Sequence, residues 1–139
     1  MESKDNGYSF SQPKIVFDEK GIFIKHPLVK LDNGNLLFPI YYHDEAGSYS
    51  AVKRSSDYGK TWTEPSKSKL PNNDSSIQMW KLHSGRLVIV YNDVTIERDQ
   101  IRPFVKNGQL QKKLLRTPLT LSISDDDGKT WSVGINIQV

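Results

Sequence analysis

The chain has 139 residues, of which 36% are hydrophobic and 25% charged, with a net charge of +3. That composition suits one globular domain, and a mild basic excess dispersed along the chain gives no nucleic-acid footprint. Cysteine is absent, which excludes disulfides, thiol chemistry and cysteine zinc sites, and no apolar run approaches the ~20 residues of a membrane span.

The N-terminal residues 1–6 are polar and lack a signal-peptide core. By default the chain therefore reads as cytoplasmic, or as a piece of something longer. The first motif is Ser3-Lys4-Asp5-Asn6-Gly7-Tyr8-Ser9-Phe10, and residues 14–17 follow as a short expected strand. After a turn at 18–21, residues 25–31 are expected as a strand. Asp32-Asn33-Gly34 is a strong hairpin signal, and residues 36–42 return. Pro39 lies inside that returning strand, where a missing N–H predicts a bulge or a lost ladder bond. Residues 49–54 form the next strand. It runs into Ser55-x-Asp57-x-Gly59-x-Thr61-Trp62, and residues 66–70 leave that motif as a weak strand.

The cycle then repeats. Residues 75–82 correspond to 25–31, His83-Ser84-Gly85 to the first hairpin turn, and 87–91 to the returning strand. Residues 119–123 lead into Ser124-x-Asp126-x-Gly128-x-Thr130-Trp131, and 135–139 form the outgoing strand. No stretch shows helical periodicity. The motif S-x-D-x-G-x-T-W is a turn. Its carboxylate can accept backbone N–H groups, its glycine can take positive φ, and its tryptophan is free to pack on a neighbouring unit. The three copies begin at Ser3, Ser55 and Ser124, with Ser and Phe replacing Thr and Trp in the first.

Four antiparallel strands, A to D, in units of about 50 residues describe propeller blades. The expected division is the last strand of one blade in 1–18, a second blade in 19–72 and a third in 73–139. The B–C connection is short in the second blade. In the third it is an inserted loop, 93–116, carrying Arg98, Arg102, Lys106, Lys112, Lys113 and Arg116. Alternating strand direction puts the box turns at one end of the blades and this loop at the other. Also at that other end are Tyr41, Tyr42, His43, His26, Asn92, Asp93 and the turn at Asn72-Asn73-Asp74.

These boxes resemble the Asp-boxes, or BNR repeats, of sialidases and their six-bladed propeller relatives. The likeness extends to His26-Pro27, to Leu70-Pro71-Asn72-Asn73-Asp74-Ser75-Ser76-Ile77-Gln78, and to Tyr91-Asn92-Asp93 and Arg116-Thr117-Pro118-Leu119. It implies an all-β fold of four-stranded antiparallel blades with Asp-box turns, here an incomplete six-bladed ring. The implied activity is hydrolysis or binding of terminal acidic sugars on glycans, without metal or organic cofactor. Sialidases of the family use three arginines, an Asp acid/base and a Tyr–Glu pair. The motif that carries the first arginine is missing here, and neither the acid nor the Glu is identifiable, so no catalytic residue is assigned. Arg116 is the position carried over as substrate-facing, with Arg98, Arg102, Tyr41 and Tyr42 as further substrate-binding candidates. The alternatives are a non-enzymatic interaction module or inert fragment of a propeller protein, and a polyanion binder using the basic loop. Neither nucleic acid nor membrane is expected as a partner. Open blade edges are expected to favour either a fragment or three copies closing one ring. The three histidines have no metal-ligand spacing.

Overall fold

The computed structural model describes residues 1–45, 47–73, 75–94, 101–114 and 116–138. Among them there are eleven strands and no helix, and every ladder is antiparallel. The first sheet holds β1 (Ile22–Phe23), β2 (Val29–Lys30), β3 (Leu36–Asp44), β4 (Gly47–Ser55) and β5 (Ser66–Pro71). Both β1 and β2 pair with β3, so together they act as one interrupted edge strand. The second sheet holds β6 (Gln78–Lys81), β7 (Leu87–Asn92), β10 (Leu119–Ser124) and β11 (Ile135–Gln138) in spatial order of chain position.

Alternation along β7 shows why the sheets stack. Leu87, Ile89 and Tyr91 are buried, while Val88 and Val90 are half-buried on the opposite face. The buried set meets Met79 and Ile77 of its own sheet and Val29, Leu31, Leu37, Val52 and Leu70 of the first. One apolar core thus lies between two sheet faces. Polar ties reinforce it: Arg54 donates from Nη2 to the Asp127 carbonyl at 3.1 Å, and Lys81 pairs with Asp32.

Several expected elements change on inspection. Residues 14–17 form no strand, and Ile15 and Val16 are exposed. A strand needs a ladder, and these residues have none. Phe17 instead inserts beside Phe38 and Trp62, at centroid distances of 5.2 and 5.5 Å. The buried Lys53 holds the same segment. Its ammonium lies 2.5 Å from Glu19 Oε1, 3.2 Å from the Thr63 carbonyl and 5.0 Å from the Phe17 ring centre.

The strand expected at 25–31 is also broken. Ladder pairing with β3 runs Ile22↔Tyr42 and Phe23↔Tyr41, then resumes at Val29↔Leu37 and Lys30↔Leu36. Residues 24–28 therefore face the shorter stretch 38–40, with Pro39 at its centre. The expected loss of a ladder bond at Pro39 is real on this side. On the other side Pro39↔Val52 sits in an unbroken register with β4, so no bulge forms there.

The inserted connection is more ordered than a loop. It contains β8 (Ile101–Lys106) and β9 (Gln109–Leu114), a hairpin whose ladder joins only these two strands. Asn107 and Gly108 turn it, with φ of 53° and 75°. Positive φ at both positions is the type I′ signature, and Asn-Gly is its favoured pair.

Candidate functional site

The boxes are the most regular chemistry in the chain. Asp57 Oδ1 accepts the Ser55 hydroxyl at 2.7 Å and the Thr61 N–H at 2.9 Å, and Oδ2 accepts the Thr61 hydroxyl at 2.7 Å. Ser55 Oγ in turn accepts the Gly59 N–H at 2.8 Å. The last copy repeats the pattern: Asp126 accepts from the Ser124 hydroxyl and from the N–H and hydroxyl of Thr130, and Ser124 Oγ accepts the Gly128 N–H. The first copy does the same, with Asp5 bonded to Ser3 and Ser9, and Gly7 to Ser3. Backbone conformation agrees: the pairs Asn6-Gly7, Tyr58-Gly59 and Asp127-Gly128 all have positive φ.

Donors converging on the ionised carboxylate hold it charged. Asp57 is lowered to about 2, chiefly by the Thr61 N–H and then its hydroxyl. Asp126 is lowered to about 2 with the Thr130 hydroxyl leading, and Asp5 likewise with the Ser9 hydroxyl leading. A carboxylate occupied in this way is a poor proton acceptor, so the boxes are structural. The aromatic end packs as expected. Trp131 lies against the core between the sheets, and Trp62 against Phe17 and Phe38, with its Nε1 donating to the Gly59 carbonyl at 3.2 Å.

At the opposite end a polar network joins the connections. Asn72 accepts the Ser75 N–H at 3.1 Å and donates to the Ser75 carbonyl at 3.0 Å, closing the turn on itself. The Ser75 hydroxyl is shared between Asn92 Oδ1, at 2.7 Å, and Asn73 Oδ1. Asn92 donates its amide to the Arg116 carbonyl. Asn72, Asn73 and Ser75 are buried, and buried amides and hydroxyls persist only with partners. The chain entering β10 is therefore anchored through main chain to the turn between the two sheets.

That anchoring leaves the Arg116 side chain exposed, with no ion pair among the described residues. Arg98 lies outside the described residues. Of Arg102 only the backbone is described, paired with Lys113 in the hairpin. Tyr41 is buried, its ring stacked on Phe23 at 4.7 Å and 6°. Tyr42 is half-buried and stacks on Tyr49 at 5.4 Å, while Lys67 caps Tyr49 from 4.1 Å. The two tyrosines alternate faces of β3, so one strand does not present both to one ligand. Among the described residues no group of three His, Cys, Asp or Glu could hold a metal ion. Two residues stand out by geometry alone: His26, buried in the break of the edge strand, and Trp80 of β6, which meets its ring edge to face at 5.1 Å. Trp80 carries no sequence signal, because its neighbour is 54 residues away in the chain.

Comparison with known proteins adds three findings. A family model described as a BNR repeat-like domain matches residues 44–138. No curated protein sequence matches. Among solved structures, one described as a protein of unknown function from Dyadobacter fermentans is similar, with a TM-score of 0.52 at 20% identity. The match covers 78% of this chain and 34% of that one, so the chain spans about a third of its length.

Proposed function

The chain belongs to the BNR repeat-like family, and on that premise we propose that its two sheets are consecutive blades of a six-bladed, sialidase-like propeller that binds or hydrolyses terminal acidic sugars on glycans. The ligand lies where the connections gather, opposite the box turns. The observation that carries this reading is Arg116. Its carbonyl, not its guanidinium, is committed to the Asn92 amide. The cationic fork is exposed at a rigid chain entry, ready for bidentate pairing with a sugar carboxylate. Arg98 and Arg102 belong to the same connection and supply further positive charge to that ligand. Tyr42 of β3, half-buried and stacked on Tyr49, is a further candidate contact.

The test is binding of sialyllactose by calorimetry and turnover of a fluorogenic sialoside, with Arg116→Ala beside the parent chain. A charge-assisted hydrogen bond is worth about 1.5–3 kcal/mol, so affinity should fall by roughly ten- to a hundred-fold. Binding or turnover that survives Arg116→Ala intact removes Arg116 from the site.

A second reading, a non-enzymatic interaction module, is favoured by the far face of the second sheet. Val88, Val90, Leu121 and Ile123 are only half-buried there, and Ile135 is exposed. This reading expects no turnover and association through that face, including with further copies of the chain.

A further inference from the structure

Three Asn-Gly dipeptides occur in the chain, Asn6-Gly7, Asn33-Gly34 and Asn107-Gly108, each at a turn and each with an exposed asparagine. An asparagine followed by glycine can react with its own backbone, because no side chain shields the following amide nitrogen. The step requires that nitrogen to lose its hydrogen to solvent and to swing onto the side-chain amide carbon. A hydrogen bond donated by the same N–H opposes both movements.

The three sites differ at that atom. The Gly7 N–H donates to Ser3 Oγ at 2.7 Å inside the first box. The Gly34 N–H donates to the Leu31 carbonyl at 3.1 Å, and Asn33 Oδ1 itself accepts the Asn35 N–H at 2.9 Å. At the third site the ladder closes through Lys106↔Gln109, one residue outside the dipeptide on each side. Among the described residues, neither the Gly108 N–H nor the Asn107 side chain has a hydrogen-bond partner. The tether differs as well. The turn at Asn33 is tied to Leu31 of the core, so releasing it disturbs buried packing. The β8–β9 ladder joins only its own two strands, and a lone hairpin opens at little cost. Opening frees Asn107 from its positive φ and lets the nitrogen reach the side chain.

We propose that Asn107 is a site of spontaneous, non-enzymatic modification whose only co-reactant is water. The Gly108 nitrogen, having given its proton to solvent, bonds to Asn107 Cγ. The side-chain nitrogen takes up a proton and leaves as ammonia. Water then opens the resulting succinimide at either carbonyl. One opening gives aspartate. The other gives isoaspartate, in which the main chain runs through the former side chain. No atom is oxidised or reduced. Residues 101–114 carry Arg102, Lys106, Lys112 and Lys113 and no acidic residue, so either product places the first negative charge in this hairpin. Isoaspartate also lengthens the backbone within a two-residue turn whose geometry sets the register. The modification thus discharges and loosens the basic connection with age, whatever ligand that connection meets.

The test incubates the full chain at mildly alkaline pH and follows it by tryptic mass mapping. Cleavage at lysine puts the three dipeptides in separate peptides, 5–14, 31–53 and 107–112. In the folded chain, peptide 107–112 should gain the amide-to-acid mass faster than either of the others, by roughly three- to tenfold, the factor for releasing one hydrogen bond. In guanidinium chloride the three rates should converge, which assigns the difference to the fold. Ion exchange of the intact chain should show a growing species of lower positive charge. Asn107→Gln, whose longer side chain would have to close a larger ring, should suppress it. Conversion of Asn6 or Asn33 in the folded chain as fast as Asn107 overturns the proposal. So does an Asn107 that stays intact in the folded chain while it converts in denaturant, or an acidic species that Asn107→Gln leaves unchanged.

Discussion

At the scale of single residues, the box aspartates decide how the protein meets acid. Each has a carboxyl at about 2 against an ordinary 3.8. A group lowered on folding contributes stability that is complete above its unfolded value and lost as pH falls through its folded value. Thermal stability should therefore hold steady down to about pH 4 and drop between about 4 and 2. Asp126→Asn, which keeps the shape but weakens the accepted bonds, should be less stable near neutrality and show a shallower acid limb. Parallel limbs in parent and variant would contradict this. Tyr58 offers the reverse experiment. It holds φ of 60° with 80% of its surface exposed, so it carries left-handed strain without packing in return. Asn tolerates that conformation better, and Tyr58→Asn should stabilise the chain by about 1 kcal/mol in denaturant unfolding. The carboxylate and serine bonds of the boxes are legible from the sequence because each spans four residues or fewer. The left-handed residue before the glycine is legible at Asn6 and Asp127, whose types favour it, but not at Tyr58, where tyrosine runs against local preference.

At the scale of elements, legibility follows the same rule. Asp32-Asn33-Gly34 and His83-Ser84-Gly85 turn the chain as read, and Gly34 and Gly85 both have φ of 84°. The edge strand expected at 25–31 is broken because its ladder depends on Pro39, a residue in another strand. The hairpin of β8 and β9 differs from the inserted loop expected at 93–116 for another reason: its turn signal, Asn107-Gly108 flanked by Val105 and Leu110, is local, but it sits among dispersed basic residues. Its ladder is confined to itself, and Val105 and Leu110 are exposed at 70% and 72%. A lone two-stranded hairpin is marginal in water and lends little stability to its host. Replacing residues 101–114 with a short Gly-Ser linker should therefore shift unfolding by less than about 1 kcal/mol, since closing a loop depends weakly on its length. The same deletion removes Arg102, Lys106, Lys112 and Lys113. Affinity for an acidic glycan should fall, and its salt dependence should become shallower, if this hairpin contributes to the ligand field. Unchanged affinity with preserved stability would make the hairpin dispensable to binding.

At the scale of the whole molecule, the two sheets bury one face each against the other and leave one each behind. On the first sheet that second face is partly served by the N-terminal segment, through Phe17 and the Glu19–Lys53 pair. On the second sheet nothing comparable is found among the described residues. Ladder register sets Leu121 beside Ile135 and Val90, and Ile123 beside Val88, in one apolar strip. In a closed ring such a strip would be covered by the next blade; for the 139-residue chain alone in solution, water and a second molecule compete for it. Burial of apolar area gives roughly 25 cal/mol per Å², which favours the second molecule. Light scattering on the parent chain should accordingly show self-association that grows with concentration. Leu121→Lys combined with Ile135→Lys places two charges on the strip without touching the buried face of β10. The doubly substituted chain should shift toward monomer while its circular dichroism remains that of a β protein. A parent chain that stays monomeric at high concentration would show that the strip is satisfied within one molecule, and it would remove open-face association from the account of this protein. Three-fold mass in the parent, abolished by the two lysines, would instead fit three copies sharing six sheets in a single ring.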